Sequence, residues 1–238
     1  MDPLIECRSV KAARILDASR TLVLDHGIGK VTVSEITRAA GVGKGTVYVF
    51  WPSKEALILG MFARDLLAAV DAVIQHLSQD ASQVLPARLA PFMIRTAQGL
   101  PLSRFLNGDD AQLPHLLAAF PEQGRLFSRI SPSAMCGAII PILARHGLVS
   151  QHRSLSEYAF MMHALLTGFG HAITHAATSP AVDDPYAVFA HTVEKLFAPE
   201  ALPSTAVLEK ACAEVVSLFT ESRGAVLDVI RSTQVTTS

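Results

Sequence analysis

A lysine flanked by two glycines is the feature of this sequence whose residue types most clearly permit chemistry. Gly43 and Gly45 carry no Cβ, so the backbone beside Lys44 can approach a phosphate or a base edge closely. At the start of a helix, the lysine charge and the first free amides point at the same anion. Thr46 then offers a small hydroxyl, and Tyr48 offers a phenol on a flat apolar ring. These residue types predict contacts with a nucleic acid.

Each of these residues also has a plainer interpretation. A single lysine such as Lys44 or Lys54 is more often a solvated surface charge than a nucleic-acid contact. Thr32 is explained equally well as a helix cap, and Tyr48 could pack wholly inside. What favours nucleic-acid contact is the order of the signals, because a capping box, a turn, a short helix and the start of the next helix follow one another in register.

Three helical patterns surround the lysine. Apolar or small residues recur at helical spacing from Ser9 to His26, and a glycine ends that pattern. Thr32 and Glu35 have the spacing of a capping box, which predicts a short helix from Val33 to Ala40. A third segment, from Gly43 to Phe50, follows after a tight turn. Two short helices joined by a glycine turn and braced by a third form a helix-turn-helix, whose second helix enters the major groove of DNA.

The segment from Thr32 to Leu57 closely resembles the DNA-binding signature of the TetR family. The resemblance covers about residues 12–62, and the rest of the chain is similar to that family only in the number and order of its helices. It implies an all-α protein, with an N-terminal three-helix DNA-binding domain and a larger helical ligand-binding and dimerisation domain. It also implies a repressor that binds double-stranded palindromic operator DNA as a homodimer. The family's usual DNA contacts fall on Thr32, Gly43, Lys44, Gly45, Thr46, Tyr48, Val49 and Lys54.

Three positions depart from the common pattern of that family. Gly43 stands where the family often has Ser or Thr, which removes a side-chain contact to phosphate. Val49 replaces a frequent His or Tyr, so a polar contact becomes an apolar one, for example with a thymine methyl. Trp51 replaces the usual Phe and is expected to be a larger core residue. These departures bear on the operator sequence and not on the mode of binding.

The helix predicted from Ser154 to Ala177 is apolar nearly all round, so every side of it must be covered. Together with a helix predicted from 184 to 197 it would form a pair. Two such pairs related by a two-fold axis give a four-helix dimer interface, as the resemblance also implies. Leu165 and Phe169 are the residues expected in that interface.

A ligand pocket is expected between the fourth helix, which starts at Lys54, and the proline-interrupted region from 78 to 131. Because the candidate residues are mainly apolar, with several Phe and Met, they favour a small and largely apolar effector that releases the DNA. Each candidate is, by itself, more often a plain core or surface residue. The apolar candidates are Phe62, Leu66, Phe92, Met93, Phe105, Met135 and Met162, and the polar ones are Arg95, Arg104 and His163.

A metal site and an enzymatic site are weaker alternatives. His171 and His175 have a spacing that could ligate a metal, but no nearby Cys, Asp or Glu completes a ligand set. We therefore predict no metal and no cofactor, and a polar seam at the dimer interface explains these histidines. Ser131, Ser133, Cys136 and His163 could be a nucleophile and base, yet no known catalytic motif contains them, so no enzyme is predicted. A third class is an architectural DNA-binder, which a closed and fully packed C-terminal core would favour.

Composition restricts the class of protein further. The 238 residues are 50% hydrophobic, which suits one or two domains, here 1–54 and 55–238. The net charge of −1 indicates no nucleic-acid partner by itself, although basic residues outnumber acidic ones in the first domain. Three widely spaced cysteines are typical of free thiols in a reducing cytosol. The apolar stretch from 138 to 144 is too short to span a bilayer, so we expect a cytoplasmic protein with no membrane partner.

Overall fold

The computed structural model describes residues 4–102, 116–129 and 131–235, and all regular structure in these ranges is helical. The predicted all-α class is therefore confirmed. Short 3-10 turns lie at Ile5–Cys7, Ala81–Val84 and Ala176–Thr178. In chain order the α-helices are α1 (Val10–His26), α2 (Val33–Ala40), α3 (Lys44–Phe50), α4 (Lys54–Gln79), α5 (Pro86–Gly99), α6 (Pro121–Arg129), α7 (Pro132–Arg145), α8 (Leu155–Thr174), α9 (Pro185–Phe197) and α10 (Thr205–Ser232).

Local signals determine where the N-terminal helices begin and end. The Ser9 hydroxyl caps α1, and Gly27 follows that helix with a positive φ of 83°, which favours glycine. The capping box predicted before α2 is confirmed. Thr32 Oγ1 accepts from the Glu35 amide at 3.3 Å, and the Thr32 amide donates to the Glu35 carboxylate at 2.9 Å. Gly41 then ends α2 in the left-handed region.

The region that the sequence presents as irregular is more helical than its prolines suggest. Pro86 is the first residue of α5, where a missing N–H costs nothing. Pro91 lies inside the same helix. Beyond that region, Pro141 lies inside α7. The helix predicted to extend to residue 177 ends earlier, at Thr174, and a 3-10 turn follows it.

The described chain forms two compact units. Unit 1 takes its described residues from Met1–Ala68, Pro101–Leu126 and Arg223–Ser238. Unit 2 takes its described residues from Ala69–Leu100 and Phe127–Ser222. Helices α4 and α10 therefore each contribute residues to both units. The domain boundary between residues 54 and 55 stays a prediction.

Unit 1 is built around α1 to α3 and the first half of α4. Its largest fully buried side chain is Trp51, in agreement with the core position expected from the sequence. The carboxylate of Asp65, on α4, is also buried. It pairs with Arg20 of α1 at 2.5 Å and accepts a hydrogen bond from the Leu102 amide at 3.0 Å. Asp65 thus connects α1, α4 and the backbone at residue 102. Other fully buried apolar residues of this unit are Ile15, Ile36, Leu57, Ile58, Leu59 and Met61.

Unit 2 has a continuous apolar core formed by α5, α7, α8, α9 and the adjoining parts of α4 and α10. Tyr158 packs against Phe197, with ring centroids 5.3 Å apart. Phe169 packs against Phe189 at 4.7 Å, and Leu165 also contacts this core. Phe169 and Leu165, expected at a subunit interface, therefore contact the core of their own unit and are only partly buried there.

One stretch, Pro121–Arg145, is by length and apolar composition long enough to cross a membrane. It comprises α6 and α7, and Met135, Ile139 and Leu143 of α7 lie in the core of unit 2. A core helix passes the same test of length and composition, so this stretch is weak evidence for a membrane span.

Candidate nucleic-acid interface and apolar cavity

Helix α3, which we call the recognition helix, has one buried side and one open side. Val47 is completely buried and fixes the helix to unit 1. Tyr48 is 45% exposed and Val49 is 62% exposed, so the alternative in which Tyr48 packs wholly inside is wrong. Lys44 and Gly45 are exposed as well. The predicted contact residues of this helix therefore lie together on a solvent-facing surface.

The turn before the recognition helix is fixed by its own geometry. Gly41 has a φ of 62°, and the Val42 amide donates to the Thr37 carbonyl at 3.0 Å. A Cβ at position 41 would also meet the Arg14 guanidinium, but this end of an exposed, flexible side chain can move aside. The positive φ is therefore what favours glycine here, and the turn holds α2 and α3 in the arrangement of a helix-turn-helix.

The two glycines beside Lys44 are not required by the packing of the chain itself. Gly43 has an ordinary φ of −72°, and a Cβ placed on it would meet only the Thr46 hydroxyl oxygen, at 3.8 Å. A Cβ on Gly45 would meet nothing within 4 Å. The space that these glycines leave open lies on the exposed side, where the backbone amides of the helix start are accessible to an anion.

Thr32 and Lys54 are close together, but both already have partners within the chain. The Lys54 ammonium donates to the Val31 carbonyl at 3.0 Å, next to Thr32. The Thr32 hydroxyl donates to the Glu35 carboxylate at 2.7 Å. Hydrogen bonds from Thr32 lower the pKa of Glu35 below its ordinary value, with smaller contributions from Arg38 and His26. The cap is therefore intact at neutral pH and weakens as the pH falls through that lowered value.

A small apolar cavity of about 30 Å³ lies in unit 2. Two of the predicted ligand residues, Met93 and Met162, line it. Cys136 also lines it, and burial raises the pKa of this thiol to about 11, so the lining is uncharged at neutral pH. The other residues around the cavity are Pro86, Leu89, Ala90, Ile139, Ile140, Leu143 and Leu166.

The structure does not bring the remaining predicted ligand residues to that cavity. Met135 is buried in the core, and Phe92 stacks on His76 with ring centroids 3.7 Å apart. The Arg95 guanidinium lies over the Tyr186 ring at 4.4 Å, which explains its position without a ligand. Phe62 and Leu66 belong to unit 1. Phe105 and Arg104 lie outside the described residues.

The histidines that the structure describes do not gather around one point. His171 and His175 stack on each other at 4.2 Å, and no group of three possible metal ligands exists in the described ranges. His163 borders an open groove of about 460 Å³ between α7 and α8, and its buried Nδ1 has no hydrogen-bond partner there. Burial lowers the pKa of His76 and so favours the neutral imidazole. A hydrogen bond with Gln83 acts in the opposite direction but is the smaller effect.

Comparison with known proteins places the N-terminal region in a family. Residues 15–61 match the family described as bacterial regulatory proteins, tetR family. An uncharacterized HTH-type transcriptional regulator of Mycobacterium bovis is 36% identical over 66 residues, which are 28% of this chain and 35% of that protein. The chain therefore spans only about a third of the length of this curated relative.

Solved structures share the fold over a longer part of the chain. The fatty acid degradation regulator FadR from Bacillus halodurans has a TM-score of 0.52 at 17% identity, covering 79% of this chain and 94% of that one. The transcriptional regulator FadR from Bacillus subtilis, in complex with stearoyl-CoA, has a TM-score of 0.51 at 15% identity, covering 77% and 95%. Helices α1 to α3 form a three-helix DNA-binding domain of the helix-turn-helix class. Residues 15–61 of the chain are similar to the TetR family, as the sequence resemblance predicted.

Sequence reasoning missed three contacts that shape this region. They are the approach of Arg14 to Gly41, the pairing of Arg20 with Asp65, and a hydrogen bond from the Val235 amide to the Phe50 carbonyl. The first had a visible signal, because a glycine closing a short helix suggests a left-handed residue. The other two join residues far apart in the sequence, and no local pattern reports them.

Proposed function

We propose that this protein is a cytoplasmic, ligand-responsive transcriptional regulator, a repressor that binds a palindromic operator as a homodimer. The observation that carries the proposal is the open side of the recognition helix, where Lys44, Gly45, Tyr48 and Val49 are exposed together while Val47 holds the helix in place. An exposed basic helix start next to an aromatic and an apolar side chain is what major-groove contact requires.

Each residue of this side has a distinct part in the proposed complex. The Lys44 ammonium and the first amides of the helix bind a backbone phosphate, which the open space at Gly43 and Gly45 lets come close. Tyr48 and Val49 contact base edges, the valine through a thymine methyl. Lys54 uses one donor on Val31 and retains two for a flanking phosphate. Thr32 contributes mainly by capping α2.

Replacing Lys44 is the direct test of phosphate contact. In Lys44→Ala, binding should weaken for all duplexes, and the slope of log affinity against log salt should fall by about one unit. Tyr48→Ala should instead reduce affinity for the preferred duplex by about 1–3 kcal/mol. The probe is a duplex selected from a randomised pool by the wild-type protein, with affinity measured by fluorescence anisotropy across a salt series.

Lys210→Ala is the matched control, because it removes an exposed lysine from unit 2 with the same change in charge. Its salt slope should equal that of the wild type. An unchanged slope for Lys44→Ala would remove this lysine from the phosphate contacts. Failure of the wild type to enrich any duplex from the pool would contradict DNA binding altogether.

Exposed apolar side chains on α8 and α9 support the homodimer. Phe160 is 72% exposed and Val188 is 46% exposed. Between residues 160 and 171 of α8 and between residues 187 and 191 of α9 the exposed residues are uncharged, so a second copy could approach there with little charge to desolvate. Charged exposed residues lie only nearer the ends of the two helices, at Glu157 on α8 and at Glu194 and Lys195 on α9. The exposed uncharged residues of these two stretches are Phe160, Ala164, Thr167, Gly168 and His171 on α8, and Ala187, Val188 and His191 on α9.

The apolar cavity supports an apolar effector. A cavity of about 30 Å³ with uncharged walls has no group that would hold water firmly. Effector-sized ligands occupy about 300–1,000 Å³, so the effector must separate α5, α7 and α8 as it binds. A ligand that prefers the widened form would change DNA affinity by a coupling free energy of about 1–3 kcal/mol.

Reciprocity tests the effector. The first probes are stearoyl-CoA, which the Bacillus subtilis protein of the same fold holds, and free fatty acids of decreasing length. A true effector should lose affinity in the presence of saturating duplex by the same factor by which it weakens duplex binding, measured by calorimetry. Ala90→Leu, which adds volume to the cavity wall, should abolish effector binding and leave duplex binding unchanged. Equal effector affinity with and without duplex would show that the probe does not induce release.

The small size of the cavity also favours a second candidate, a DNA-binder without an effector. In that case the packed core of unit 2 serves only dimerisation, and no apolar probe stabilises the protein against heat. A rise in melting temperature with any probe, abolished by Ala90→Leu, separates the two candidates in favour of the regulator.

A further inference from the structure

The last carbonyl of the recognition helix has a partner from the far end of the described chain. The Val235 amide donates to the Phe50 carbonyl at 2.9 Å. Helix α3 has only seven residues, so its terminal carbonyls have no partner within the helix. The bond from Val235 therefore fixes the end of the helix opposite to its DNA-facing start.

A close contact holds the chain before Val235 against α4. A Cβ on Gly60 would lie 2.8 Å from Oγ1 of Thr233 and 3.2 Å from the Arg64 guanidinium. Thr233 is buried, and its hydroxyl donates to the Ile230 carbonyl at 2.7 Å. Since this side chain is short and held, it cannot move aside cheaply. Glycine at position 60 is what allows the two backbones to come this close.

Apolar burial extends the same contact along α10. Val226, Val229 and Ile230 are buried within unit 1. The first half of α4 is correspondingly enclosed, since all residues from 56 to 63 are buried. A helix buried on every side needs partners on more than one face, and residues 223–235 supply one of them.

From this geometry we infer that residues 223–235 are positioning residues for the recognition helix, acting through the Val235–Phe50 hydrogen bond and the Thr233–Gly60 contact. The inference rests on the proposed DNA-binding function. Residues of the same helix nearer its start, including Ala211, Val215 and Phe219, lie in the core of unit 2. One helix therefore has buried residues in both units, and its end determines how firmly Tyr48 and Val49 are presented.

Gly60→Ala tests the contact, because the close approach of Thr233 predicts a harmful effect where an open helix would predict a stabilising one. In an open helix this substitution stabilises a protein, because alanine has the higher helix propensity. Here it should push Thr233 away and reduce affinity for the selected duplex about tenfold, and Thr233→Ala in the same chain should restore most of that loss. Gly224→Ala is the matched control on α10, since its Cβ would meet nothing within 4 Å, and it should leave affinity unchanged.

Val235→Pro tests the hydrogen bond, because proline has no N–H, and Val235→Ala is its control. The chain has a single tryptophan, Trp51, which is buried directly after Phe50. Loss of the bond should shift Trp51 emission to longer wavelength and speed hydrogen exchange in residues 44–51 without any DNA present. Duplex affinity should fall at temperatures well below unfolding, which a purely stabilising contact would not cause.

The two readouts separate the possible failures. If Trp51 emission and hydrogen exchange respond as expected but the wild type binds no duplex, the proposed function fails and the contact itself stands. If the wild type binds duplex while Gly60→Ala and Val235→Pro only lower the melting temperature, the positioning role is overturned. The same holds if Thr233→Ala does not restore the affinity that Gly60→Ala removes.

Discussion

Phe160→Glu is expected to convert the proposed homodimer into monomers and to reduce affinity for the proposed operator by about a hundredfold or more. Phe160 is the most exposed aromatic residue on the α8 face, and a glutamate there would bury an unpaired carboxylate between two copies. Such burial costs several kcal/mol. A monomer presents one recognition helix and reads one half-site, so it loses the gain that a two-fold complex obtains from binding both half-sites together. Sedimentation velocity and duplex titration measure the two effects.

Leu202→Glu provides the matched control for this experiment. Leu202 is also a large apolar residue of unit 2 and is 99% exposed, but it lies on the loop between α9 and α10. The same chemical change there should leave both the dimer and the affinity intact. A Phe160→Glu protein that still sediments as a dimer would place the interface elsewhere than on α8 and α9.

Asp65→Ala should lower the free energy of unfolding by about 2–4 kcal/mol. The substitution leaves the buried Leu102 amide without its acceptor and Arg20 without its partner. Because Arg20 is about a quarter exposed, water recovers part of its solvation, and the loss stays below that of a fully buried pair. Urea unfolding followed by circular dichroism measures the change.

Asp228→Ala removes an ion pair of similar geometry at the surface, where Asp228 and Arg231 are both exposed. We expect it to cost less than about 1 kcal/mol. Equal losses for Asp65→Ala and Asp228→Ala would show that the Asp65 contacts contribute nothing beyond an exposed ion pair.

The helices near the DNA-binding face were predictable because their signals are local. Thr32 and Glu35 stand three residues apart and bond each other, whatever the rest of the chain does. Gly27 and Gly41 stand where a positive φ ends a helix. The exposure of Tyr48 could not be predicted in the same way, because it depends on which neighbours cover the helix. The sequence alone was equally compatible with a buried and an exposed tyrosine.

The sequence predicted the apolar character of the cavity but not the full set of residues that line it. Met93 and Met162 were expected at a pocket and line one, since both occupy the inward sides of their helices. Phe92 was expected there as well, but it is one residue along α5 and therefore faces His76 instead. Phe169, expected at the subunit interface, packs against Phe189 and is only partly buried, so its place at an interface stays a prediction. Periodicity shows that a helix has apolar sides, whereas tertiary packing decides which side meets which neighbour.

The contribution of residues 223–235 to unit 1 has a consequence for how the protein is made. The recognition helix leaves the ribosome long before these residues do, so unit 1 cannot complete its own core during the synthesis of its first part. Until then, Gly60 and the apolar side of α4 around it lack the partner that covers them, and such surfaces are prone to aggregate or to bind chaperones. DNA binding should therefore appear late in synthesis, and a chimera that transfers only residues 1–68 to another protein would inherit the contacts for DNA without the residues that complete their support.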